Sequence, residues 1–208
     1  RMLINYAPFV ERMISRYEGG YGWNRNDPGG PTKFGITCYD LAAYHHQKMD
    51  SMARGAPIVM AMKLATADDI YQDKYATACA FDDLGAGKDV VIFDFGVNSG
   101  PSRAIKAAQQ VVGVTADGIL GPITLAAINA YNADSFIRVL CDKRLRFLEG
   151  LHTWPVFGKG WAARVADLRA YALRLVVPQR PKARLATHKP KPIRIPLAFA
   201  KGWELEAA

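Results

Sequence analysis

Residues 16–37 read RYEGGYGWNRNDPGGPTKFGIT, and the pattern changes from helical to turn-like within this stretch. Ahead of the first glycines, apolar side chains recur every three or four positions, which is typical of an amphipathic helix. These side chains are Leu3, Ala7, Val10, Ile14 and Tyr17. Gly19 and Gly20 then end the helix, because glycine readily takes the left-handed conformation that closes one. Residues 27–30, Asp-Pro-Gly-Gly, predict a tight turn, and residues 33–37 predict a short extended segment.

Three polar residues of this stretch form a candidate catalytic set, namely Glu18, Asp27 and Thr32. Glu18 is expected in the last helical turn, where the partial negative charge of the helix end disfavours an ionised carboxylate. Neighbouring aromatic side chains would desolvate it further, so we expect a raised pKa and a general acid at neutral pH. An acid that faces a carboxylate and a hydroxyl across a glycine-rich turn supplies the groups that cleavage of a glycosidic bond requires.

Each of the three residues also has a purely structural interpretation. Glu18 can be a solvated residue near a helix end, and Asp27 can stabilise the turn through its own side chain. Thr32 can bind a local backbone group through its hydroxyl. For Asp27 and Thr32 these roles are compatible with catalysis, and the residues alone leave both interpretations open.

The stretch resembles the glycoside hydrolase family 108 muramidases, a group of phage endolysins and bacterial secretion-associated enzymes. The matching segments are EGGY at 18–21, DPGGPT at 27–32 and FGIT at 34–37. A second segment resembles the peptidoglycan-binding region that follows the catalytic segment in this family. It consists of FDFGVNSGP at 93–101, Gln109, Asp117-Gly118, Gly121-Pro122 and Thr124.

The resemblance implies an N-acetylmuramidase with lysozyme activity, which hydrolyses the β-1,4 bond between N-acetylmuramic acid and N-acetylglucosamine. It also implies that Glu18 is the catalytic acid. The order Glu, Asp, Thr is similar to that of the phage lysozymes, so we expect an all-α, lysozyme-like fold with a short glycine-rich turn or hairpin after the first helix. No metal or organic cofactor is expected, because two carboxyl groups supply the chemistry.

The chain is expected to divide into three parts. Residues 1–88 form the catalytic muramidase segment, and residues 89–177 form a helical peptidoglycan-binding-like region packed into the same compact domain. Residues 178–208 form a proline-rich basic tail, which contains seven Lys and Arg residues but only two Glu residues. Repeated prolines exclude a regular helix over most of this tail.

Tyr21, Tyr75 and Asn98 are the candidate substrate-binding residues. Tyr75 lies one helical turn after Tyr71, and this spacing suits either core packing or stacking on a sugar. The family often carries a Tyr-Trp pair where this chain reads Tyr75-Ala76, so one aromatic side chain is missing from that wall. Asn98 stands in the predicted turn before Gly100, and such a turn faces the substrate in lysozyme-like clefts.

Residues 90–97 are densely apolar, and the resemblance favours a helix over a strand there. Asp94 interrupts this apolar run, and a buried acid must be paired or hydrogen-bonded. We expect a partner such as Arg103 or a helix-end N–H. On the last predicted helix, Arg164, Arg169 and Arg174 are expected to face solvent.

The chain has 208 residues and a formal net charge of +8, which favours contact with polyanions. We expect it to bind peptidoglycan glycan strands as a monomer, with the basic tail (178–208) on an anionic wall or membrane surface. Specific nucleic-acid recognition is not expected, because the helix predicted over 122–131 carries no Lys or Arg.

Neither a transmembrane run nor the apolar core of a signal peptide is visible in the sequence. We therefore expect synthesis in the bacterial cytoplasm and action in the periplasm or cell wall, with export through a holin, another channel or an accessory route. Cys38, Cys79 and Cys141 fit no zinc pattern. The alternatives are a lytic transglycosylase, which cuts the same bond without water, a non-catalytic wall-binding or secretion-accessory module, and a chitinase-like enzyme.

Overall fold

The computed structural model describes residues 5–17, 20–23 and 30–176, with side chains as far as residue 12 in the first of these ranges. The predicted catalytic residues Glu18 and Asp27, and the predicted tail over 178–208, lie outside the described residues.

The described residues are mainly helical, with one two-stranded sheet. The helices are α1 (Tyr6–Tyr17), α2 (Cys38–Tyr44), α3 (Met52–Ala61), α4 (Leu64–Ile70), α5 (Lys88–Ser99), α6 (Pro101–Val112), α7 (Pro122–Ala130), α8 (Ala133–Glu149) and α9 (Trp154–Val176). The strands are β1 (Thr32–Lys33) and β2 (Ile36–Thr37), which form an antiparallel hairpin after α1. A π-helical turn (Tyr71–Ala76) continues α4, and a 3₁₀ turn (Phe81–Asp83) precedes α5. The predicted helical, lysozyme-like fold with a short hairpin is confirmed.

Helix α1 ends at Tyr17, where the following glycines predicted its end. Its inward face differs from the predicted stripe, because Tyr6, Phe9 and Val10 are buried while Ala7 is exposed. The two aromatic rings determine this face, since Tyr6 and Phe9 lie with their ring centroids 5.8 and 6.1 Å from that of Phe93. Helix α1 therefore packs on α5, and the aromatic contact joins the predicted catalytic segment to the predicted wall-binding segment.

Helix α5 is the centre of the core. Every residue from Lys88 to Gly96 is buried, so the helix is covered on all sides. This explains the continuous apolar run in the sequence, since only a helix covered all round lacks a polar face. Helix α5 contacts α6, α8, α9 and the π-helical turn.

The ends of α5 and α7 are joined by a buried lysine. Lys88 Nζ donates hydrogen bonds to the carbonyl oxygens of Ile128, Asn129 and Tyr131, at 2.7, 3.0 and 2.6 Å. These carbonyls stand at the C-terminal end of α7, where backbone acceptors lack intrahelical partners and a cation is favourable. The lysine thus satisfies the end of α7 while it fixes the start of α5.

Asp94, in the middle of α5, pairs with two buried arginines. Arg144 on α8 donates to Asp94 Oδ2 at 2.5 Å, and Arg164 on α9 donates to Asp94 Oδ1 at 2.9 Å. The expectation that Arg103 would be the partner is wrong, since Arg103 instead donates to the Ser99 carbonyl. Burial alone would raise the Asp94 pKa, but the charges of Arg164 and Arg144 and their hydrogen bonds outweigh it and lower the pKa to about 2.

The last helix is more buried than its sequence predicted. Arg164 is 8% exposed, so the expectation that it faces solvent is wrong. Arg169 is partly buried and pairs with Asp142 of α8, whereas Arg174 is exposed as expected. The reason is that α9 packs along α8 and α5, which leaves only part of its surface in water. Among the described residues, no helix is long and apolar enough to cross a membrane.

Replacement of Asp94 by Asn should strongly destabilise the chain, because it leaves two buried guanidinium groups without a counter-charge. We expect urea-induced unfolding to show a loss of about 3 to 5 kcal/mol at pH 7. The Asp94 carboxylate stabilises the fold above its unfolded pKa of about 4 and loses this effect as the pH falls towards about 2. The stability difference between wild type and Asp94→Asn should therefore shrink between about pH 4 and pH 2.

The matched control is Asp134→Asn, since Asp134 pairs with Arg138 in an exposed contact within α8. An exposed pair contributes little, so this variant should unfold close to wild type. Equal losses in the two variants would show that burial of the Asp94 cluster has no special role.

Candidate active site

The hairpin that carries Thr32 turns through two residues. Thr32 pairs with Thr37 and Lys33 with Ile36, so Phe34 and Gly35 form the loop. Both loop residues have positive φ, 52° at Phe34 and 73° at Gly35. Positive φ at both central positions is the type I′ turn, whose twist matches that of the two strands. Glycine suits this conformation, whereas an aromatic residue there is strained and needs support from its surroundings.

Tyr71 and Lys33 provide that support. The Tyr71 hydroxyl donates to the Phe34 carbonyl at 2.7 Å, and Tyr71 is fully buried. Lys33 Nζ lies 5.1 Å from the centre of the Phe34 ring and donates to the carbonyls of Met60 and Met62 at 2.7 and 2.8 Å. The hairpin is therefore held on the end of α3 by one strand residue and on the π-helical turn by its loop.

Thr32 lies between two backbone neighbours. On one side it pairs with Thr37, and on the other it forms an isolated bridge to Gly22. The Gly22 N–H donates to the Thr32 carbonyl at 2.9 Å, and the Thr32 N–H donates to the Gly22 carbonyl at 2.8 Å. The Thr32 hydroxyl oxygen is 3.5 Å from the Gly22 carbonyl, a long and weak contact, and the residue is half-buried. Thr32 thus has a fixed backbone and a hydroxyl that is largely free to bind another group.

The Gly22–Thr32 bridge closes the chain segment that contains Asp27. Gly22 belongs to the residues that follow Glu18, and Thr32 belongs to those that follow Asp27. Beside the bridge, Tyr21 is half-buried and packs against the core, and Trp23 is also half-buried. Glu18 and Asp27 themselves lie outside the described residues, and their catalytic roles stay predictions.

The π-helical turn holds the second aromatic candidate. Tyr75 is 8% exposed, and its ring centroid lies 5.9 Å from that of Tyr71. Lys74 Nζ lies 5.2 Å from the centre of the Tyr75 ring, and Lys74 forms an ion pair with Asp40 of α2. Tyr75 therefore packs behind Tyr71, which supports the hairpin loop, and its contact with substrate stays a prediction.

Asn98 stands apart from the hairpin, in the last turn of α5. It is exposed, and its side-chain oxygen accepts a hydrogen bond from the Ser99 hydroxyl at 3.2 Å. The chain then turns at Gly100, with φ of 88°, and Pro101 begins α6. An exposed amide at such a turn is available to a ligand, and its predicted role in substrate binding stays a prediction.

The second sequence motif forms a hydrogen-bonded turn around buried Gln109. Its amide donates to Asp117 Oδ1, the Ile119 carbonyl and Thr124 Oγ1, at 2.7, 3.0 and 3.1 Å. Its oxygen accepts from the Gly118 N–H at 2.8 Å. Gly118 has φ of 84°, a conformation that other residues rarely adopt. These motif residues therefore have a structural role, which is to fix the turn between α6 and α7.

The sequence analysis missed the supports of the hairpin, Lys33 and Tyr71. The signal for Lys33 was its place in a Lys-Phe-Gly-Ile segment, since a glycine in a two-residue loop predicts a hairpin and the flanking residues then pair. No local pattern marks Tyr71, because its partner Phe34 is 37 positions away. No group of three His, Cys, Asp or Glu side chains that could hold a metal ion occurs among the described residues.

The chain is similar to a known family and to a solved structure. The family described as glycosyl hydrolase 108 matches residues 12–100, a range that includes Glu18, Asp27, Thr32 and Asn98. The solved structure of SagA from Brucella abortus is 43% identical to this chain and superposes with a TM-score of 0.76. The match covers 82% of this chain and 95% of the Brucella chain. No curated protein matches the chain.

Replacement of Tyr71 by Phe should loosen the hairpin, because it leaves the Phe34 carbonyl without its hydroxyl donor. We expect a loss of about 1 to 3 kcal/mol in the free energy of unfolding. Faster hydrogen exchange at the Ile36 and Cys38 amides, which donate across the hairpin, would locate the effect there. Tyr39→Phe is the matched control, since Tyr39 is exposed on the neighbouring helix α2. Unchanged exchange at the hairpin amides in Tyr71→Phe would contradict this account of its support.

Proposed function

The chain belongs to the glycosyl hydrolase 108 family, and from this premise we propose that it is an N-acetylmuramidase. Membership makes it a glycoside hydrolase of the peptidoglycan-degrading class. The proposal concerns the bond and the residues that act on it. The bond is the β-1,4 link between N-acetylmuramic acid and N-acetylglucosamine, and the acting residues are Glu18, Asp27 and Thr32.

In the proposed reaction, Glu18 donates a proton to the glycosidic oxygen as the bond to the anomeric carbon breaks. Positive charge develops on the sugar ring, and a water molecule adds to the anomeric carbon. The water gives up a proton to a carboxylate, which is Asp27 if Asp27 holds the water and otherwise the ionised Glu18. Asp27 either orients that water or stabilises the charged ring. The Thr32 hydroxyl positions the water. A positioned acid typically contributes a factor of about 10² to 10⁴ to the rate.

The observation that carries the proposal is the bridge between Gly22 and Thr32. It lies within the range that matches the family, and it joins two described residues, Gly22 and Thr32, one on each side of Asp27 in the sequence. Catalysis requires functional groups held in fixed positions, and the paired backbone of Thr32 holds that residue in place. Two further hydrogen bonds hold the hairpin. Tyr71 binds its loop to the π-helical turn, and Lys33 binds its first strand to the end of α3.

We assign the proposed substrate contacts from the solvent exposure of the three candidate side chains. Asn98 is exposed and Tyr21 is partly exposed, and we assign them to the sugar rings and N-acetyl groups of the glycan strand. Tyr75 is buried against Tyr71, so we assign it to the wall of the cleft, where it contributes through packing. The substrate places the proposed action at the bacterial cell wall.

Glu18→Gln should retain the fold and the binding of sacculi while it loses nearly all release of soluble fragments. The test is mass spectrometry of fragments from purified sacculi, and reducing N-acetylmuramic acid ends from the wild type alone would support a muramidase. The control is Glu11→Gln, because Glu11 is an exposed carboxylate on α1, the helix that precedes residue 18 in the sequence. It should release fragments at the wild-type rate.

Other products of this assay would overturn the proposal in different ways. Anhydro-sugar ends would identify a lytic transglycosylase. Binding of sacculi without any released fragments would identify a wall-binding module. Wild-type release by Glu18→Gln would remove Glu18 from the mechanism.

Thr32→Val should lower kcat about 10- to 100-fold with little change in KM, because valine keeps the shape but cannot hold the water. The factor corresponds to about 1.4 to 2.7 kcal/mol of lost transition-state stabilisation. Thr32→Ser retains a hydroxyl and should recover most of the activity. Equal activity of the Val and Ser variants would show that the hydroxyl has only a structural role. Initial rates on labelled peptidoglycan at several substrate concentrations give kcat and KM for each variant.

A further inference from the structure

A solvent-open groove between α6 and α8 collects positive charge. It has a volume of about 320 Å³, and its walls carry Arg103 and Lys106 from α6 and Lys143 and Arg146 from α8. Phe95 and Phe147 line it as well. We call this feature the basic groove. It lies outside the hairpin region and has no part in the proposed cleavage.

Helical spacing places the four cations on its two walls. Arg103 and Lys106 are three positions apart on α6, and Lys143 and Arg146 are three positions apart on α8. Residues at this spacing share one face of a helix. Each wall therefore presents two cations towards the groove.

None of these four cations has an ion-pair partner among the described residues, and none of the residues that line the groove is acidic. Elsewhere on α8 and α9 the arginines Arg138, Arg144, Arg164 and Arg169 are each paired with an aspartate. Lys106 interacts electrostatically with Asp117, which also accepts hydrogen bonds from the Ile119 N–H and the Gln109 amide, so the charge of Lys106 is partly compensated. The charges of Arg103, Lys143 and Arg146 have no such partner among the described residues. Uncompensated like charges around one concavity attract an anion.

Three contacts hold two of the groove cations, Arg103 and Lys143, in position. The Arg103 guanidinium lies 4.4 Å from the centre of the Phe147 ring and donates to the Ser99 carbonyl at 2.9 Å. Across the groove, Lys143 Nζ donates to Gln110 Oε1 at 3.0 Å. A guanidinium stacked on a ring keeps its edge free for a planar anion such as a carboxylate. Side chains already held in place lose less conformational entropy when they bind a ligand.

We propose that the basic groove binds the acidic stem peptide of peptidoglycan. Stem peptides are short chains with several free carboxylates and alanine methyl groups, so they match both the cationic walls and the apolar lining. A phosphodiester polymer offers charge without the matching apolar groups. This inference rests on the proposed function, because the stem peptide is attached to the N-acetylmuramic acid residue of the substrate.

The position of the groove agrees with this ligand. Arg103 contacts Ser99, which is adjacent to Asn98, the residue assigned above to the glycan strand. The groove therefore begins at the turn between α5 and α6. A glycan held at Asn98 would place its peptide substituent near the first cation of the groove.

Isothermal titration calorimetry at low salt tests the proposal with three probes. The first is the tetrapeptide N-acetyl-L-Ala-γ-D-Glu-meso-diaminopimelate-D-Ala, the second is the same peptide with its carboxyl groups amidated, and the third is a glycerol phosphate oligomer with the same number of anionic groups as the first. The wild type should bind the acidic tetrapeptide at least 10-fold more tightly than either of the others. Binding should weaken as salt is added, because the charges are exposed to solvent.

The variant Lys143→Gln/Arg146→Gln removes two cations from one wall and should weaken tetrapeptide binding at least 10-fold. The matched control, Lys48→Gln/Lys159→Gln, removes the same charge from two exposed lysines outside the groove. It should bind within 2-fold of wild type. Circular dichroism would verify that both variants are folded.

Several results would overturn the proposal. These are absence of tetrapeptide binding by the wild type, equal binding of the amidated peptide, tighter binding of the glycerol phosphate oligomer, and equal loss in the two double variants. Because the probe contains no sugar, the titration is independent of cleavage. Failure of the muramidase proposal would appear in fragment release, while failure of this one would appear only in peptide binding.

Discussion

The pairing of Asp94 with Arg144 and Arg164 fixes how the helices meet. One carboxylate in the middle of α5 holds a side chain from α8 and another from α9, at distances of 2.5 and 2.9 Å. A buried ion pair is seldom more stabilising than a well-packed apolar core, but it is costly to break and strict in geometry. A shift of α8 or α9 by one helical turn would leave a buried charge without its partner. The cluster therefore selects one packing of α8 and α9 against α5.

The hairpin depends on the same central helix through aromatic contacts. Phe93, next to Asp94 on α5, lies with its ring 6.4 Å from that of Tyr71, which in turn donates to the hairpin loop at Phe34. Phe93 also packs against Tyr6 and Phe9 of α1, the helix that leads to Glu18. Helix α1 and the residue that supports the hairpin, Tyr71, thus both contact the Phe93 ring. The basic groove begins at the other end of α5, beside Asn98, so this helix supports each proposed contact with the substrate.

Much of this architecture follows from local sequence. The end of α1, the glycine-containing hairpin and the turn before Pro101 each follow from residues within a few positions. The partner of Asp94 does not, since the two arginines lie 50 and 70 positions away and only helix packing brings them together. The predicted buried face of α1 was wrong at Ala7, because the large rings of Tyr6 and Phe9 occupy the core instead. The basic groove also could not be predicted from local sequence, because its walls come from two helices, and Gln110 and Lys143, which meet across it, are 33 positions apart.

In the proposed function, Glu18 and the hairpin residue Thr32 belong to the site of glycan cleavage. A crystal structure of the Glu18→Gln variant bound to a tetrasaccharide of alternating N-acetylglucosamine and N-acetylmuramic acid tests this claim most directly. We predict that the scissile glycosidic oxygen lies about 3 Å from the side-chain amide at position 18, with the Thr32 hydroxyl facing the adjacent anomeric carbon. A tetrasaccharide bound away from positions 18 and 32 would contradict the assignment.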